Sequence, residues 1–127
     1  MPSRERVEAF IAHVVSGDHV GAIREFYDED ATMQENRAAR RVGREALMRH
    51  EAEALSRMAS IVSELLEPPL IERERVAIHW RFTITSTEGA TAVLDEIAWQ
   101  LWRGDKIAEE VFFYDPAQLQ PIRAPSG

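Results

Sequence analysis

The 127-residue sequence contains no cysteine. That excludes a disulfide framework, a thiolate zinc site and a thiol nucleophile. Lysine is almost absent too, Lys106 being the only one among fifteen basic residues. With 22 acidic side chains the formal net charge is −7, the wrong sign for non-specific nucleic-acid binding. No apolar run approaches the roughly 20 residues needed to span a bilayer. "MPSRERVEAF" lacks the apolar stretch and cleavage site of a secretory signal, so the expectation is a cytoplasmic protein. Neither a Gly-rich phosphate loop nor a G-x-S-x-G elbow occurs, which leaves phosphoryl transfer and serine hydrolysis without support.

What is present is a pattern that changes period once. Val7, Phe10, Ile11, Val14 and Val15 form the apolar stripe of a helix over 4–15 that Ser3 can cap. "SGD" breaks it, and Asp18 caps a second helix carrying Val20, Ile23, Phe26 and Tyr27. "DATMQEN" reads as a short strand and "RAARRV" as a loop. Gly43 precedes a third helix over about 44–58 with Leu47, Glu51, Ala54, Leu55 and Met58 on one side.

From residue 60 the period becomes two. Strands are predicted over 60–67, closed by Pro68-Pro69, and over 75–85, 91–102 and 107–115. In the second of these Val76, Ile78, Trp80, Phe82 and Ile84 share one face, with His79 and Arg81 on the other. His13 and His19 read as surface residues. "PAQLQPIRAPSG" reads as a loosely held tail. The expectation is therefore one α+β domain over 1–116 followed by a tail over 117–127. Three helices across a curved, mainly antiparallel sheet would enclose a conical pocket, the natural place for a ligand.

The order of helix, "GD…AI…FYDEDATM", "GREAL" helix and three long strands ending "RGDKIAEEVFFYD" resembles the nuclear-transport-factor-2-like superfamily over about residues 4–116. That superfamily includes ketosteroid isomerases and SnoaL-like polyketide cyclases. The resemblance implies a homodimer formed through the outer sheet face. It places the isomerase general base, at the end of the first strand, on Glu35. The catalytic tyrosine of the first helix is replaced by Phe10 and the oxyanion-stabilising aspartate by Ala98. A supporting tyrosine is matched by Tyr27, and another on the third helix is replaced by Glu51. Losing one preorganised donor costs about 100- to 1000-fold in rate, so the orthodox steroid-isomerase mechanism is not expected. SnoaL-type cyclases use an Asp and a His on strands, and the only strand histidine, His79, faces the other way.

The inherited register points Glu96, Ala98, Gln100 and Trp102 into the cone. Ala98 would make room, Gln100 would offer an amide and Trp102 would line a wall. Glu110, Phe112 and Tyr114 would face inward from the last strand. Met33 shares the inner face with Glu35, and Trp80 and Phe82 belong to the apolar face of their strand. Periodicity turns Glu51 inward and leaves His50 solvated. Ile97, Trp99 and Leu101, with Val111 and Phe113, are too apolar for a solvated outer face. Together with His79 and Arg81 they form the expected dimer patch. No histidine–carboxylate spacing supports a metal, and no cofactor is expected. The functional expectation is a small hydrophobic ligand bound without nucleic acid or membrane. Glu35 would be the base of an isomerase- or cyclase-type reaction on a carbonyl compound, with Tyr27 donating. The alternative is a non-catalytic binding or interaction module.

Overall fold

The computed structural model describes residues 1–123. Helix α1 (Arg4–Val15) starts where the Ser3 hydroxyl accepts the Arg6 amide at 3.1 Å, and it buries Val7, Phe10, Ile11 and Val14. Helix α2 (His19–Phe26) starts where Asp18 accepts the Gly21 amide at 3.0 Å. Helix α3 spans Arg44–Ser56. The strands are β1 (Tyr27–Glu35), β2 (Arg41–Val42), β3 (Met58–Leu65), β4 (Leu70–Glu72), β5 (Arg75–Ser86), β6 (Thr91–Arg103) and β7 (Lys106–Phe113).

The sheet order is β2-β1-β7-β6-β5-β3, with β4 also pairing β5; β1 runs parallel to β7 and the other pairs are antiparallel. The α+β class and the mixed, curved sheet under the helices are as the period change implies. Alternation along β5 and β6 buries Val76, Ile78, Trp80, Phe82 and Ile84, together with Ala92, Leu94, Glu96, Ala98, Gln100 and Trp102. Phe10 anchors the helices to this face, its ring edge-on to Phe26, Tyr27 and Trp102 at 5.5, 6.1 and 6.2 Å. No helix among the described residues is long and apolar enough to cross a membrane.

Three local differences from the expectation have physical causes. Tyr27 belongs to β1 rather than to α2, because its pairing with Ile107 of β7 holds it extended (φ −102°, ψ 145°). The predicted loop and proline segments contain the short strands β2 and β4, held by β1 and β5. The tail is not loose over its described part. Pro116–Ile122 forms a 3-10 helix capped by Asp115, and Gln118 bonds the Asp95 backbone twice, accepting its N–H at 2.9 Å and donating to its carbonyl at 3.1 Å. Leu119 and Ile122 thereby pack on the core. Residues 124–127 of the expected tail lie outside the described residues.

Candidate active site

A cavity of about 250 Å³ opens between the helices and the inner sheet face. Phe10 and Val14 border it from α1, Ala22 and Ile23 from α2, and Trp80, Phe82 and Ile84 from β5. Met33 and Leu94 add apolar surface, and Leu119 and Ile122 of the 3-10 helix cover one side. Four carboxylates, Glu35, Glu51, Glu96 and Glu110, also border it, with Tyr27, Phe112, Tyr114, His19 and His50. No lysine or arginine does so among the described residues.

Most sequence-predicted ligand residues therefore meet at one cavity, but Ala98, Gln100 and Trp102 do not. They face inward as alternation requires, yet they are essentially fully buried beneath the cavity and do not border it. Alternation specifies a side chain's face, not its depth along the cone. Gln100 and Trp102 support the site from below instead. Trp102 Nε1 donates to Gln100 Oε1 at 2.9 Å, and Gln100 Nε2 donates to Glu110 Oε2 at 2.6 Å. The Tyr27 hydroxyl donates to Glu110 Oε1, so it is committed to that carboxylate rather than free for a ligand.

Burial pushes the Glu110 carboxyl up to about 7, against the lowering effect of the Gln100 and Tyr27 bonds, with the Glu51 charge adding to the rise. Burial, then the neighbouring Glu110 charge and bond, hold the Tyr27 hydroxyl well above its ordinary 10. Tyr27→Phe removes one of the two donors to Glu110. The expected outcome is a loss of about 1–3 kcal/mol of stability, with the Glu110 carboxyl rising further above 7. Urea unfolding and a carboxyl-carbon NMR titration check the two effects.

Glu96 is the cavity carboxyl to which the sequence assigned no role. It is only 7% exposed and has no hydrogen-bond or ion-pair partner among the described residues. Burial raises its carboxyl to about 8, and the charges of Glu110, Glu35 and Glu51 add to the rise. Its signal in the sequence was a glutamate at an inward position between buried Leu94 and Ala98.

Glu35 differs in every respect. It ends β1 at the rim, half-exposed, with Oε2 3.7 Å from Arg41 Nη2. Asn36 fixes this strand end in the left-handed region (φ 51°), its amide donating to the Phe112 carbonyl at 2.8 Å and its Oδ1 accepting the Tyr114 amide at 3.0 Å. Asn tolerates this conformation better than most residues. Tyr114 borders the cavity, its hydroxyl raised by burial and by the Glu35 and Glu96 charges.

Two histidines depart from the surface reading. His19 is buried and borders the cavity, with Nε2 2.9 Å from Ser63 Oγ and Nδ1 3.4 Å from Glu51 Oε1. His50 is half-buried and borders the same cavity beside Glu51. His13 sits 2.9 Å from Asp18 near the surface. On the outer sheet face Ile97, Trp99 and Phe113 are exposed and Leu101 and Val111 half-buried. His79 pairs with Glu67 and Arg81 with Asp95, each at 2.8 Å.

Helices packed across a mixed, curved sheet give the chain a nuclear-transport-factor-2-like fold, which solved structures share. One is a protein of that fold from Burkholderia pseudomallei, with a TM-score of 0.83 and 13% identity over 96% of this chain and 99% of that one. TerC, co-crystallised with polyporic acid, gives 0.78 and 17% over 91% and 93%. A protein of ketosteroid-isomerase-like fold from Catenulispora acidiphila, in complex with trimethylamine, gives 0.77 and 18% over 92% and 91%. No curated protein sequence matches the chain. The family model for the SnoaL-like domain matches residues 7–110, and the chain belongs to that family.

Proposed function

We propose that this protein is a cofactor-independent proton-transfer enzyme of isomerase or cyclase type, acting on a small, largely apolar carbonyl compound. The observation that carries the reading is a pair of carboxyls, Glu35 and Glu96, bordering one apolar cavity in opposite environments. Two such groups are what acid–base division of labour needs. Glu35, at the rim beside Arg41, takes the proton from the carbon next to the carbonyl. Glu96, protonated below about 8, donates a hydrogen bond to the oxygen on which charge develops. A neutral carboxylic acid in an apolar site thus supplies a donor that Phe10 and Ala98 cannot. Tyr27 on the cavity wall and Gln100 beneath it act by holding Glu110. SnoaL-like family membership supports the reaction class.

The test is proton exchange of β,γ-cyclohexenone in D₂O, followed as loss of the α-proton NMR signal. Exchange that depends on Glu35 is the expected result. Exchange no faster than with Glu35→Gln overturns the reading and leaves a ligand-binding module.

We further propose that the chain pairs with a second copy through its outer sheet face. Ile97 opposes Phe113 and Trp99 opposes Val111 there, a contiguous apolar patch. Trp99→Asp places a charge at its centre and is expected to give a monomer by sedimentation equilibrium. A wild-type chain that is itself monomeric overturns the pairing.

A further inference from the structure

The helical wall of the cavity carries a second set of titratable groups beyond Glu35 and Glu96. His19 opens α2, Glu51 lies midway along α3 and Ser63 sits on the inner face of β3. Segments 32 and 44 residues apart converge on one imidazole. His19 and Ser63 are buried, while Glu51 keeps a quarter-exposed side chain (25%) on the cavity wall. The His19 ring is also held edge-on to Phe82 at 5.9 Å.

Ser63 does not border the cavity, so no substrate reaches its hydroxyl as a nucleophile. Its role is orientation. With neutral His19, the Nδ1 proton goes to the Glu51 carboxylate and the Ser63 hydroxyl donates to Nε2. With cationic His19, Nε2–H donates to Ser63 Oγ, whose hydroxyl rotates away. The ring therefore keeps both contacts in either hydrogen-bond arrangement. Glu51 also raises the carboxyls of Glu96 and Glu110, which places its charge close to the reacting volume.

We propose that Glu51, positioned by His19 and Ser63, is a second proton-transfer group of this cavity, returning a proton at a carbon other than the one Glu35 deprotonates. This rests on the reading of Glu35 as the base. The α-carbon–hydrogen bond breaks and its proton moves to the Glu35 carboxylate. The electron pair shifts into a dienolate whose oxygen accepts the hydrogen bond from Glu96. The Glu51–His19 pair gives its proton to the γ-carbon, a new carbon–hydrogen bond forms there, and the double bond moves into conjugation. Glu35 loses its proton to water at the rim, and the pair takes one from water. The net change is one relocated proton, with no oxidant or cofactor consumed. Groups on β1 and on α3 approach a bound ligand from different elements, which gives each its own carbon.

β,γ-Cyclohexenone in D₂O separates the two steps, because α-exchange reports Glu35 and appearance of the conjugated enone reports γ-protonation. Glu51→Gln and His19→Gln are each expected to lower enone formation about 100-fold more than they lower α-exchange. Ser63→Ala is expected to shift the pH profile of enone formation while leaving that of exchange in place. A purely electrostatic role for Glu51, acting through Glu96, would move both profiles together. Because His19 is buried, the partly exposed Glu51 carries the test if the His19 variant unfolds. Wild-type enone formation in Glu51→Gln overturns this proposal and leaves Glu35 as base. Wild-type exchange in Glu35→Gln overturns the base assignment, and this proposal with it.

Discussion

Glu35→Gln is expected to slow α-proton exchange about 100- to 10,000-fold, the usual contribution of a positioned general base. The amide is isosteric, so Met33 and the Asn36 turn keep their places. The pair lost with Arg41 is 3.7 Å long and half-exposed. Such pairs contribute about 0–1 kcal/mol, so thermal stability should hardly move while activity collapses. A second signature separates this from misfolding. The Glu35 charge is one cause of the raised Glu96 carboxyl. Removing it should draw Glu96 down from about 8, visible in a carboxyl-carbon NMR titration of the folded variant.

Replacing Glu96 should produce the other large effect, on rate and on stability with different pH dependences. Glu96→Leu removes the donor to the developing oxyanion, and the expected loss is about 100- to 1000-fold. Glu96→Gln keeps an N–H donor that does not titrate. In the wild type kcat/KM should fall as pH rises through about 8, because the acid must be protonated to donate. In Glu96→Gln that limb should vanish.

Stability follows the same proton. The Glu96 carboxyl goes from an ordinary 4.5 to about 8 in the folded chain. Between those values the folded state holds more protons than the unfolded one. The contribution is therefore fully present below about 4.5 and is lost as pH rises through about 8. At about 1.36 kcal/mol per unit the swing is on the order of 5 kcal/mol. Urea midpoints at about pH 5 and about pH 9 should diverge in the wild type and diverge less in Glu96→Gln, where the raised Glu110 carboxyl still contributes. Equal wild-type midpoints would refute a neutral Glu96 in the cavity.

Much of this molecule was legible from residue order alone. The change of period from 3.6 to two placed the helices before the long strands and made the class α+β. Alternation along β5, β6 and β7 separated the face that packs under the helices from the face bearing Ile97, Trp99 and Phe113. It also brought Glu35 beside Met33, while the register implied by the family resemblance turned Glu96 and Glu110 to the inner side. The alternation follows from local geometry, since a strand's side chains must alternate whatever it packs against.

What local geometry cannot carry is depth and partnership. Ala98, Gln100 and Trp102 share an inner face with Glu96, but only packing of α1 and the sheet decides which rung opens into the cavity and which is sealed below it. His19, at the start of a short helix, looks solvent-facing until Glu51 and Ser63 arrive from 32 and 44 residues away. Tyr27 looked free to donate until β7 brought Glu110 to its hydroxyl. The sequence determined which residues could do acid–base chemistry. Tertiary structure decided which of them lose water, because burial and the nearness of other charges depend on contacts that no stretch of chain makes with itself.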